Sequence, residues 1–128
     1  HQFLAQLDYL IVTLPETETT AKFFNFDDFC AMKNSAFLIS VGRGSNLNQE
    51  DLINALSQKK IRGAVLDVFE KEPLPVDNPL WTFENVYVTP HNSACSFPAQ
   101  IASIFCDNYR RFISGRRLNY IVDFETGY

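Results

Sequence analysis

The sequence predicts an α/β fold built on a doubly wound parallel sheet. Three observations predict it. Short apolar runs of strand length recur along the chain, and longer amphipathic stretches separate them. The runs are nearly continuous rather than alternating, which is the pattern of strands buried on both faces, as parallel strands are. Prolines or glycines then stop several of them at their C-terminal ends. Strands alternating with helices make βαβ units, with right-handed connections and helices on the faces.

Each element is predicted from its own residues. Asp8–Leu14 is a continuous apolar run that stops at Pro15, and Glu16–Lys22 is a polar, Thr-rich loop. Phe26–Lys33 fits a short helix with Asp27 or Asp28 near its start. Ala36–Val41 is a second buried strand, broken by Gly42-Arg43-Gly44. A helix runs from about Asn48 to Lys59. Asn48 suits its N-cap, Glu50 and Asp51 its first turn, and Lys59 and Lys60 its last, while Leu52, Ile53, Leu56 and Ile61 form its apolar face. Gly63–Leu66 is a third strand leading into Asp67, with a Pro-rich loop, Glu72–Pro79, after it. Asn85–Thr89 is a fourth strand, ended by Pro90-His91. A long helix runs from about Phe97 to Ser114 and stops at Gly115, and the apolar tail Leu118–Phe124 is expected to be extended.

Composition removes several function classes. The 128 residues are 46% hydrophobic and 20% charged, an ordinary globular balance with enough apolar side chains for one core. No apolar run approaches the roughly 20 residues that span a bilayer. HQFLAQLD at the start has neither the basic region nor the apolar stretch of a secretory signal. A net charge of −4 with no basic block argues against nucleic acid as a partner. Cys30, Cys95 and Cys106 are odd in number and match no CxxC or zinc spacing, so no metal site is expected. They read as buried or half-exposed thiols of a reducing, cytoplasmic protein. The chain opens on His1 inside what reads as the end of a helix. It is therefore expected to be the back part of a longer protein.

Ligands of open parallel sheets bind beyond the carboxyl ends of the strands. The residues just after each apolar run are therefore the place to look for chemistry. There the sequence delivers Pro15 and a Thr-rich loop, then Gly42-Arg43-Gly44, then Asp67 and Glu72, then His91-Asn92-Ser93. An arginine between two glycines can approach a ligand closely and bind a carboxylate bidentately. A surface arginine in a tight turn has the same sequence. His91 can serve as an acid or base near neutral pH, or be structural. One carboxylate of the acidic loop (Glu70, Glu72, Asp77) could orient that ring and keep a proton on it; otherwise the loop is a solvated acidic surface. Asp67 can accept an amide hydrogen bond or cap the turn after it.

Together, in order, these motifs are specific. A strand ending in Val-Gly-Arg-Gly, a helix, Gly-Ala-Val-Leu-Asp-Val-Phe-Glu-Lys-Glu-Pro-Leu-Pro, Asn-Pro-Leu-Trp and Asn-Val-Tyr-Val-Thr-Pro-His succeed one another. The set closely resembles the D-isomer-specific 2-hydroxyacid dehydrogenases, of the glyoxylate/hydroxypyruvate reductase kind. Leu14-Pro15 and Ala31-Met32-Lys33 fit the same resemblance, which runs from about Asp8 to Ala94 and more loosely to Tyr128.

The resemblance implies an oxidoreductase that interconverts a small 2-oxo acid and a D-2-hydroxy acid with NAD or NADP. It implies that Arg43 holds the substrate carboxylate, that His91 is the general acid or base, and that Glu72 rather than Glu70 pairs with His91. It places Asp67 on the nicotinamide carboxamide. Pro15, Thr20, Val41, Gly42 and Arg43, with His91, Asn92, Ser93 and Ala94, line the same cofactor pocket. It further implies a homodimer in the full-length protein.

The sequence departs from the family at one large point. Its five glycines make no GxGxxG, so a partial Rossmann-like sheet lacking the first βαβ unit is expected. The residue that would distinguish NAD from NADP goes with that unit. Residues 1–94 are expected to be the C-terminal portion of the dinucleotide-binding domain. Residues 95–128 are expected to be a C-terminal helix and tail that pack toward a substrate domain. By itself such a piece is expected to be inactive and prone to self-association through its sheet edge and apolar surface. The alternative on the same fold is a non-enzymatic module that senses NAD(H) and binds a protein partner.

Overall fold

The apolar runs form four parallel strands: β1 (Tyr9–Val12), β2 (Phe37–Ser40), β3 (Gly63–Leu66) and β4 (Val86–Val88). They lie in the order β1-β2-β3-β4, so each crossover steps to the adjacent strand. The computed structural model describes all 128 residues, His1–Tyr128, as two units, His1–Ser93 and Ala94–Tyr128. The sheet lies in the first unit together with helices α1 (Phe26–Ala31) and α2 (Gln49–Ser57), which pack on each other. Right-handed crossovers that always step in one direction put their helices on one face of a sheet.

Register shows which face that is. Leu10, Leu38, Ala64 and Val86 form one row across the sheet, and Val12, Ser40, Leu66 and Val88 form the next. The members of these rows on β1, β2 and β3 are buried, and Phe29, Leu52, Ala55 and Leu56 from the helices join the same core. The other face carries the row Ile11, Ile39, Val65 and Tyr87, with Tyr9 and Phe37 beside it. There Tyr9, Ile11 and Tyr87 are more than half exposed. This corrects the expectation of strands buried on both faces, because both helices of the unit belong to one side.

Helix ends obey side-chain chemistry. Asn25 caps α1 in a capping box with Asp28, and the Phe26 amide donates to Asp51 Oδ2 at 3.1 Å, tying α1 to the first turn of α2. Asn48 caps α2 by accepting from the Asp51 amide. The helix stops at Ser57, before the lysines expected in its last turn, and Lys59 sits in the left-handed region at φ 56°. Short 3-10 turns at Leu4–Gln6, Gly44–Asn46 and Pro79–Thr82 complete the unit.

The second unit holds α3 (Pro98–Ile113), with Pro98 at its first turn and Gly115 beyond its end at φ +64°. Ile101, Ile104, Phe105, Tyr109, Phe112 and Ile113 recur at helical spacing, yet all are exposed, and α3 has no buried residue. Polar bonds fold the tail onto the helix: the Asn119 amide donates to Asn108 Oδ1 at 2.8 Å, and Asn119 Nδ2 donates to Asp107 Oδ2 at 2.9 Å. The tail forms turns and bends, not the extended segment expected of Leu118–Phe124. Cys30, Cys95 and Cys106 are exposed, not buried.

Candidate active site

Three loops meet at the carboxyl edge of the sheet because two glycines let their backbones touch. A Cβ on Gly42 would stand 2.7 Å from the Leu14 carbonyl oxygen, and one on Gly44 would stand 2.0 Å from the carbonyl group of Phe69. Only glycine fits at such distances. The turn carrying Arg43 is therefore pressed between the loop after β1 and the loop after β3. Arg43 is exposed, and its Nη1 donates to its neighbour's carbonyl, Gly42 O, at 2.9 Å. It makes no salt bridge within the chain.

Asn46 ties the first two loops together, although no motif in the sequence marks it. Its side chain is fully buried. Oδ1 accepts from the Arg43 amide at 3.1 Å, and Nδ2 donates to Pro15 O at 3.0 Å and to Thr20 O at 3.2 Å. The Thr20 hydroxyl also serves the loop itself, donating to Pro15 O at 2.7 Å. Pro15, Thr20 and Val41 are half-buried, and Gly42 is buried.

The third loop carries two carboxylates. Asp67 lies directly after β3 and is 1% exposed. It accepts from the Thr89 hydroxyl, from the Asn92 amide at 3.0 Å and from the Ser93 amide at 2.9 Å. Burial pushes its carboxyl up, but bonds from the Ser93 and Thr89 side chains and from both amides outweigh that and hold it well below the usual carboxylate range. Both of its oxygens are thereby engaged in fastening the segment after β4.

Glu72 stands at the same edge. Its Oε1 accepts from the Phe69 amide at 3.0 Å, and its Oε2 lies 2.8 Å from His91 Nδ1. The hydrogen bond to His91, then that from Phe69, lowers its carboxyl from the ordinary glutamate value. The Glu72–Pro73 peptide bond is cis, and His91 holds a left-handed backbone at φ 52°. Glu70 instead accepts from the Gln49 amide at 3.0 Å, away from the histidine. With Nδ1 engaged by Glu72, Nε2 is the ring nitrogen left to face a ligand. Beside the pair a cavity of about 480 Å³ has apolar walls that include Phe69, Pro73, Leu74, Trp81 and Val88. Asn92 and Ser93 are exposed beyond the strand end, and Ala94 opens the second unit.

This edge holds a cation on a tight turn, a carboxylate-paired imidazole and a buried acid that fastens the segment carrying it. Comparison with known proteins agrees with the chemistry. Residues 1–93 match the family model of the D-isomer specific 2-hydroxyacid dehydrogenase, NAD binding domain. The chain belongs to that family. The 2-hydroxyacid dehydrogenase relatives include glyoxylate/hydroxypyruvate reductase A of Photorhabdus laumondii, 37% identical over 126 residues, which cover 98% of this chain and 40% of the relative. An NADPH-dependent glyoxylate/hydroxypyruvate reductase of Sinorhizobium meliloti, solved with NADP and sulfate, superposes with a TM-score of 0.93 at 35% identity, over 99% of this chain and 42% of that one. A D-isomer specific 2-hydroxyacid dehydrogenase family protein of Aeromonas salmonicida is 49% identical with a TM-score of 0.87, over 96% of this chain and 40% of that one. The chain thus spans about two fifths of the length of these relatives.

Proposed function

We propose that the chain is the C-terminal part of the dinucleotide-binding domain of an NAD(P)-dependent 2-hydroxyacid dehydrogenase. The parent protein would reduce a small 2-oxo acid to a D-2-hydroxy acid and catalyse the reverse. The observation that carries this reading is the Glu72–His91 hydrogen bond at 2.8 Å, on the edge that also presents Arg43. Absence of a GxGxxG and the two-fifths coverage of the relatives support its being a part rather than a whole.

The residues fit one end of the cofactor. Pro15, Thr20, Val41 and Gly42 on one side, and Asn92 and Ser93 on the other, would border the nicotinamide end. Asp67 would act there mainly by holding the Asn92 and Ser93 backbone, since its oxygens already serve Thr89 and those amides. The pyrophosphate and adenosine have no counterpart here, so their sites would lie in the remainder of the parent. When bound, the nicotinamide supplies the hydride.

The chain's own residues do the rest. Arg43 binds the carboxylate of the 2-oxo acid and aligns its carbonyl with the site. His91 delivers a proton from Nε2 to the oxygen that becomes the hydroxyl, and takes it back in oxidation. Glu72 holds Nδ1 and thereby fixes the ring's orientation. The apolar cavity at Leu74 and Trp81 keeps bulk water from part of this surface. The parent is read as a cytoplasmic homodimer; the odd number of cysteines and their lack of any CxxC spacing support the reducing compartment.

The test is reduction of glyoxylate, hydroxypyruvate and pyruvate by the full-length parent, with NADPH and with NADH. NADPH comes first because the Sinorhizobium meliloti relative is NADPH-dependent. Turnover that Arg43→Ala weakens, mainly by raising KM for the oxo acid, is the expected result. Binding of NADPH with no turnover of any short 2-oxo acid would favour the non-enzymatic, protein-binding module.

A further inference from the structure

We propose that Asn46 is a positioning residue, which sets the backbone of Arg43 against the loop after β1 and thereby fixes where the guanidinium meets a carboxylate. The proposal rests on Arg43 binding the carboxylate of the substrate. Asn46 is fully buried, and its carboxamide is used in both senses. It accepts from the Arg43 amide at 3.1 Å and donates to Pro15 O at 3.0 Å and Thr20 O at 3.2 Å. The partners themselves dictate the orientation of the amide: an N–H needs the oxygen, and two carbonyls need the nitrogen. No other side chain of similar size offers one acceptor and two donors in that arrangement. A carboxylate would face two carbonyl oxygens. An apolar side chain would leave an N–H and two C=O groups with a partner lost.

The placement separates this from general loop packing. Backbone bonds already join the two loops further along: Lys22 N donates to Ser45 O at 2.6 Å, Phe24 N to Asn46 O at 3.1 Å, and Asn48 N to Phe24 O at 2.9 Å. Those bonds hold the end nearest the core. Asn46 is the side chain that reaches back to Arg43 and across to Pro15 and Thr20, the end nearest the proposed ligands. A guanidinium on a long flexible stem finds its carboxylate reproducibly only if the backbone it springs from is fixed. Pro15 and Thr20 belong to the proposed cofactor wall, so one carboxamide keeps the carboxylate-binding turn in register with that wall.

The experiment uses the full-length parent, with Asn46→Leu, Asn46→Asp and Arg43→Ala compared with the unsubstituted protein. Steady-state glyoxylate and NADPH parameters, thermal midpoints and pH profiles are measured on each. Asn46→Leu is expected to raise KM for glyoxylate about tenfold or more per folded enzyme while leaving kcat within about threefold, since the proton donor is untouched. In Asn46→Asp the ratio of its glyoxylate KM to that of the unsubstituted protein is expected to fall as pH is lowered. A protonated carboxyl there can again accept from Arg43 and donate to one carbonyl. A folded Asn46→Leu with unchanged glyoxylate KM overturns the proposal. If Asn46→Leu does not fold, a KM ratio for Asn46→Asp that is flat in pH overturns it. Should Arg43→Ala leave glyoxylate KM unchanged, the role of Arg43 fails first, and that failure is visible whatever the Asn46 variants do.

Discussion

Asp67 and Glu72 carry the same group on the same loop and meet opposite surroundings. Asp67 is almost wholly buried, and its partners are a hydroxyl and two backbone amides of the segment it fastens. The Glu72 side chain is 36% exposed, and its outer oxygen faces an imidazole that is itself 49% exposed. Both are held below the ordinary carboxylate range, Asp67 by far the more. A charge surrounded by fixed donors is a structural element. A charge shared with a titratable ring at the surface of a cavity is suited to handling protons. The difference teaches that residue type and position at a strand end do not decide the role; the partner does.

The largest expected effect breaks the structural side of this pair. Asp67→Ala removes the acceptor for two backbone amides and a hydroxyl, and is expected to cost about 3 kcal/mol of stability. Denaturant unfolding of the parent measures it, and hydrogen exchange at Asn92 and Ser93 should quicken. A loss below about 1 kcal/mol would remove the distinction between the two acids. Next comes the functional side. Glu72→Gln should leave the unfolding midpoint nearly in place, because the bonds to a half-exposed acid are weakened by solvent. It should lower kcat for oxo-acid reduction by on the order of a hundredfold. A large fall in stability with intact kcat would invert the assignment.

Thr89→Val then sharpens the Asp67 side. It removes one hydroxyl donor at similar volume and is expected to cost about 1.5 kcal/mol. The smallest effect is one of pH. Because the folded-state value of Asp67 is depressed, its contribution is fully present above the unfolded value of about 3.9 and is lost as pH falls below it toward the folded value. Stability of the parent should therefore begin to drop near pH 4, and Asp67→Asn should flatten that part of the curve. An equal flattening in Glu72→Gln would again erase the contrast.

How much of the molecule the sequence discloses depends on how strongly pattern and chemistry coincide. The strands and α2 are legible because apolar runs and a 3.6-residue period survive in single side chains. The three 3-10 turns are not, since three or four residues hold no period. Burial on both faces of the sheet fails for a physical reason. Ile11, Ile39, Val65 and Tyr87 have the apolar character of a covered face, while this chain supplies helices to the other one. In the same way α3 has an apolar stripe without a buried residue. At the site, Arg43, Glu72 and His91 stand out because charged groups at strand ends are conspicuous. Asn46 does not, because a polar residue just after a Gly-Arg-Gly turn reads as a solvated loop. Its burial comes from contact with Pro15 and Thr20, which lie far away in sequence, and the apolar Leu47 directly after it is the available hint that the turn dives into the core.

The kcat for glyoxylate reduction, compared among the full-length parent, its Glu72→Gln and His91→Gln variants and the double variant, tests the paired imidazole most directly. Reduction needs a proton delivered from His91 Nε2, and the carboxylate 2.8 Å from Nδ1 fixes the ring that delivers it. The expected result is that each single substitution lowers kcat strongly and that the double substitution lowers it little further, because the two residues act as one unit. Losses that simply multiply in the double variant would contradict a proton-handling role for the Glu72–His91 pair.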